Sequence, residues 1–137
     1  MIVLLYYGLK RGASAIFEGL FDAAAHMEMM RFPELFCGFP RRRGTAPVLY
    51  PVACAPQAWA SATPFTLLEA ALGLEFDAER GEIRFHNPQL PRFLEEIEIK
   101  DLELAGARVN LRLRRRGANT EVAIVSQKGD IAIKIMQ

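Results

Sequence analysis

The chain has 137 residues, of which 51% are apolar and 24% charged. That is the length of one ordinary domain with enough apolar content to bury a core, which excludes a disordered polymer. A formal net charge of +1 provides no whole-chain field toward nucleic acid or an anionic membrane, and neither is expected as a partner.

No apolar run reaches the eighteen or so residues needed to span a bilayer. The opening Met1–Tyr7 is apolar but short, without a basic start or a small-residue cleavage site, so no signal peptide is expected. Two cysteines, Cys37 and Cys54, are too few for a disulfide scaffold, and their apolar neighbours predict buried free thiols. His26 and His86 stand alone, so neither a metal site nor a cofactor is expected. A reducing, cytoplasmic compartment follows as the default.

In chain order, Ile2–Leu9 looks like the last turns of an apolar helix with no start signal. This implies a chain cut from something longer, or an end covered by a partner. From Ala13 to Arg31, Ile16, Phe17, Leu20, Phe21, Ala24, Met27 and Met30 fall on one stripe at helical spacing. Gly12 and Ser14 offer a start, and Pro33 forces an end near Arg31. The three methionines Met27, Met29 and Met30 are expected to fill a core or an interface. Cys37–Ala55 holds three prolines, two glycines and the Arg41–Arg43 run. It reads as a long irregular loop of the kind that is functional or disordered. A second helix should open at Pro56, pass through Trp59, Phe65, Leu68 and Ala71, and stop at Gly73, with a kink or break at Pro64.

From Glu82 the period changes to two. Ile83 and Phe85, then Ile97, Ile99, Leu102 and Leu104, then Val109, Leu111 and Leu113 alternate with polar residues. Val122, Ile124, Ile131, Ile133 and Ile135 continue the pattern of half-buried antiparallel strands. Gly106, Gly117–Asn119 and Lys128–Asp130 supply the turns, and Pro88 and Pro91 interrupt the chain. Arg112 and Arg114–Arg116 run into a turn, where exposed arginines discourage edge pairing. The expected class is α+β: N-terminal helices over residues 1–80 packed with a small antiparallel β-sheet over residues 81–137.

The segment of most chemical interest is Arg31–Gly38. Glu34 follows a helix end and a proline and is flanked by Phe32, Leu35 and Phe36. A carboxylate in such company must be solvated, paired or raised in pKa. Pairing with Arg31 or the Arg41–Arg43 run is the plain structural expectation. Pro33-Glu34-Leu35, Tyr50-Pro51, Pro56-Gln57-Ala58-Trp59 and Leu72-Gly73-Leu74 follow one another in order. With Tyr7-Gly8 before them and a β-rich tail from near Gly81, this order resembles the C-terminal part of the amylo-α-1,6-glucosidase family, the glycogen-debranching enzymes. The resemblance spans almost the whole chain.

It implies the last helices of an (α/α)6 toroid and hydrolysis of α-1,6-linked glucan with inversion. Such enzymes use a general acid and a general base roughly 6.5–9.5 Å apart. The resemblance puts Glu34 in the base position and gives the acid no counterpart in this sequence. It also implies that Tyr50 and Gln57 line a sugar site, although either could serve to cap the following helix. Trp59 could stack on a sugar, but a lone tryptophan on an amphipathic helix is more often core. Two functions follow as expectations. One is a fragment or split subunit of a debranching-type glucosidase, inactive alone, whose partners are α-glucan and the rest of the toroid in cis or in trans. The other is a non-catalytic module that binds oligosaccharide or forms a homo-oligomer through exposed helices.

Overall fold

A computed structural model describes residues 10–42 and 44–136. The Ile2–Leu9 segment with its Tyr7-Gly8 pair, and Arg43 of the arginine run, lie outside the described residues. The elements, in chain order, are helices α1 (Lys10–Ala24), α2 (Ala58–Ser61) and α3 (Thr63–Leu72), followed by six strands. These are β1 (Leu74–Asp77), β2 (Glu82–His86), β3 (Glu96–Leu104), β4 (Ala107–Arg116), β5 (Asn119–Lys128) and β6 (Ala132–Met136). No helix among the described residues is long and apolar enough to cross a membrane. The chain divides into two compact units between Leu67 and Leu68, within α3.

In the first unit α1 buries Ala13, Phe17 and Ala24, with Leu20 half-buried, on one stripe. Ile16 and Phe21, predicted on that stripe, are exposed. The helix is continuous through Gly12, which is therefore no start signal, and it ends at Ala24 rather than near Arg31. Ala24 and Phe32 belong to one small core with Ala60, so the chain has to turn back between them. It does so through a 3-10 turn over Glu28–Met30 that buries none of its residues. Met29 and Met30 are exposed there and fill no core. The second helix starts at Ala58, breaks at Ala62 and resumes at Thr63, a break just ahead of Pro64 as predicted. Gly73 ends α3 with a φ of +57°, a conformation that glycine adopts without the Cβ penalty.

The second unit holds two three-stranded sheets, in the orders β1-β2-β6 and β3-β4-β5. One antiparallel sheet was expected, but β2 and β6 run parallel. The reason is topological: β5 lies in the other sheet, so the chain crosses over before β6 reaches β2 and cannot return as a hairpin. β1 lies ahead of the predicted start of the strand region at residue 81. Leu72, Ile83, Phe85, Leu90, Val109, Leu111, Leu113 and Ile131 form one core between the sheets.

β4 alternates strictly. Ala107, Val109, Leu111 and Leu113 are buried, while Arg108, Asn110, Arg112 and Arg114 face outward. β4 is the central strand, so its arginines do not guard an edge. They form cross-strand ion pairs with β3: Arg112 to Glu98 at 2.8 Å, Arg114 to Glu96 at 2.6 Å, and Arg108 to Glu103. The hydrogen bond from Arg112, followed by that from Lys100, lowers the Glu98 carboxyl pKa. Both neighbours of β4 carry an extra residue beside Asn110. Its Oδ1 accepts the Asp101 N–H at 2.6 Å across one irregularity, and its Nδ2 donates to Ser126 Oγ at 2.8 Å across the other.

Two outcomes are expected. A Cβ at Gly73 would lie 2.3 Å from the His86 carbonyl oxygen, whereas at Gly117 (φ +64°) it would meet nothing within 4 Å. Gly117→Ala should therefore cost roughly 1–2 kcal/mol and Gly73→Ala distinctly more, read as urea midpoints. Equal shifts would contradict the steric account. The second outcome concerns Glu82, whose carboxyl is held below its ordinary pKa first by Lys134 at 2.5 Å and then by Arg84. A depressed carboxylate contributes stability above its unfolded pKa, and that contribution is lost as pH falls through the folded value. Stability should drop in acid below about pH 4.3, and Glu82→Gln should flatten that limb of a pH–denaturation profile.

Candidate functional site

Glu34 sits at a bend in the irregular segment that leaves the Glu28–Met30 turn. Phe32 anchors this segment by its burial and meets Phe36 edge to face, with ring centroids 6.0 Å apart. The far side of the Cys37–Ala55 loop then comes back alongside it. Phe36 bridges Leu49 in antiparallel fashion, the Glu34 N–H donates to Cys54 O at 2.8 Å, and the Gln57 N–H donates to Phe32 O at 3.0 Å. Cys54 closes the clasp from its own side, its N–H donating to Glu34 Oε2 at 3.2 Å. A two-point contact of this kind fixes the carboxylate, because the backbone and the side chain of one residue are held by the same partner.

The half-buried Glu34 is thus paired, but with a backbone amide rather than with arginine. Arg41, one of its expected partners, instead bonds Asp22 of α1 and donates to Thr45 O at 3.1 Å. The Arg42–Thr45 turn is closed by Thr45, whose N–H and hydroxyl both donate to Arg42 O, at 3.1 and 2.7 Å. The Arg41 and Thr45 contacts give internal order to a stretch of chain with neither helix nor strand.

The other candidates fall around the same clasp. Gln57 takes the capping role: its Oε1 accepts the Ala58 N–H at 3.0 Å, and its carbonyl accepts the Ser61 hydroxyl at 2.9 Å. Tyr50 follows the Phe36–Leu49 bridge and is 46% exposed, with its carbonyl accepting the Ala53 N–H at 3.0 Å. Trp59 is 64% exposed, which overturns the expectation that it fills the core. The short α2 turns Ala60 inward, and that small side chain takes the core position beside it. Cys54 is exposed and Cys37 half-buried, so the expected burial of both thiols does not occur. The reason is that the 37–55 loop folds against backbone rather than into a core. Among the described residues no group of three or more acidic, histidine or cysteine side chains could hold a metal ion.

Residue reasoning missed Cys54. Nothing in its local sequence marks it as the partner of Glu34, and only the return of the loop brings the two together. Comparison with protein-family models, curated proteins and solved structures returns no match for this chain. Replacing Gln57 with Ala should cost about 1 kcal/mol through loss of the cap without exposing Phe32, as measured by chemical denaturation and near-UV dichroism.

Proposed function

We propose that this chain is the C-terminal part of a debranching-type α-1,6-glucosidase, with Glu34 as its general base. The observation that carries the reading is the clasp. It holds a half-buried carboxylate by one oxygen and leaves Oε1 without a protein partner among the described residues. A carboxylate oriented in this way can take a proton from water. That water then attacks the anomeric carbon while an acid protonates the departing glycosidic oxygen, and the configuration inverts. The acid belongs to another part of the toroid, and the chain alone is inactive.

Two further features support the reading. Tyr50 is exposed on the loop segment that clasps Glu34 and Trp59 on the short helix that follows it, as side chains that contact a sugar must be. Phe39, Leu49, Val52 and Phe65 are exposed in the same unit. The remaining helices of a toroid, in cis or in trans, would cover such side chains. The α-glucan is the ligand, and no cofactor is needed for a hydrolysis run by two carboxylates.

The test is to combine this chain with a polypeptide carrying the rest of the toroid and measure hydrolysis of α-1,6-linked glucan. Activity should appear, and Glu34→Gln should lower kcat by about 10²–10⁴ with the fold intact. Full activity in the variant would sink the base assignment. The exposed Trp59 also favours a second reading, a non-catalytic oligosaccharide-binding module. Trp59 is the chain's one tryptophan, so its fluorescence reports directly. Saturable quenching by oligosaccharide in wild type and Glu34→Gln alike, with no activity on complementation, would favour the module.

A further inference from the structure

The strand edges of the second unit are not equally protected. The outer edge of one sheet is β3, which carries Glu96, Glu98, Lys100, Asp101 and Glu103, charges that resist edge pairing. β1 and β6 are short, at four and five residues, and also charged. β5 differs. It is ten residues long, is paired only with β4 among the described residues, and has no charge, proline or glycine from Val122 to Gln127. Ile124 and Val125 at its middle are 51% and 52% exposed.

We propose that β5 is a self-complementary edge, at which two copies of this chain pair antiparallel with Ile124 of one against Val125 of the other. The register against β4 puts Glu121 and Ala123 on the same outer face as Ser126 and Lys128, because Val125 is an extra residue between the two halves. In a regular strand, positions of opposite parity point to opposite faces. The extra residue cancels that difference. Pairing about the Ile124–Val125 centre therefore sets like faces together: Ala123 meets Ser126, Val122 meets Gln127, and Glu121 meets Lys128 of the second copy.

The ends of this register are complementary in charge. Lys128 lies opposite Arg108 of its own β4, a like-charge neighbour, and has no acidic partner among the described residues. Glu121 is exposed, and among the described residues its carboxylate bonds only Arg116, at 3.1 Å. Twofold symmetry makes the contact twice, Glu121 of each copy on Lys128 of the other. One shared strand edge buries less than a standard interface. The dimer is accordingly weak, concentration-dependent and loosened by salt. It is distinct from self-association through helices, and it holds whether or not the glucosidase reading does.

Sedimentation equilibrium of the full chain over a wide concentration range tests this. Wild type should pass from monomer to dimer. Glu121→Lys and Lys128→Glu, each tested alone, should raise the dimer Kd about tenfold or more by placing like charges in contact twice. Mixing the two single variants should restore dimerisation near the wild-type Kd, because each then supplies what the other lacks. Circular dichroism checks that both exposed substitutions leave the fold intact. A wild type that stays monomeric overturns the proposal, as does a dimer that survives both reversals or a mixture no tighter than either variant.

Discussion

β4 is hydrogen-bonded along both of its edges, so each of its side chains can go only to one face or the other. Its sequence obeys that constraint: Ala107, Val109, Leu111 and Leu113 go inward, and Arg108, Asn110, Arg112 and Arg114 outward. The inward row builds the core shared with Ile83, Phe85 and Leu72. The outward row meets the glutamates of β3, so a face dense in one sign of charge is neutralised across the ladder. A slip of one residue would bury four polar side chains and expose the core, which is why the register is firmly specified. Asn110 marks the one place where both neighbours depart from it, with a side-chain hydrogen bond on each side satisfying the disturbed ladder.

The first unit is organised differently. Its core is small, centred on Ala24, Phe32 and Ala60, and backbone hydrogen bonds between the Phe32–Phe36 and Leu49–Gln57 segments hold the rest. A small core cannot dock every apolar side chain, and several large ones stay outside. Glu34 benefits from this arrangement. Its position depends on backbone pairing, which is insensitive to the identity of the neighbouring side chains, while its Oε1 has no protein partner among the described residues. The proposed hydrolytic role needs both properties, a fixed carboxylate and access for water.

Much of this organisation was legible in residue order. The change of period at Glu82 marked β2 to β6, Gly106 and Gly117 marked turns between them, Gly73 marked the end of α3, and Pro64 marked the break between α2 and α3. What was misread shares a cause. The stripe from Ile16 to Met30 has helical spacing throughout, yet α1 stops at Ala24 because Phe32 must return to the same core. Trp59 is amphipathically placed, yet Ala60 takes the buried position. Periodicity reports which face of a helix could be buried, and not whether enough core exists to bury it.

By itself, then, the sequence determined the strands from Glu82 onward, the helix break ahead of Pro64, which rows of β4 point inward, and that Glu34 follows a proline beyond a helix end. Those are local matters, set by side-chain alternation and by the backbone limits of proline and glycine. Tertiary structure alone decided that β6 runs parallel to β2, that the arginines of β4 lie at the centre of a sheet, and that Cys54 clasps Glu34. Each of these joins residues distant in the chain through backbone hydrogen bonds. Every residue except proline offers the same N–H and C=O groups, so the side-chain sequence leaves no mark of which partners they choose.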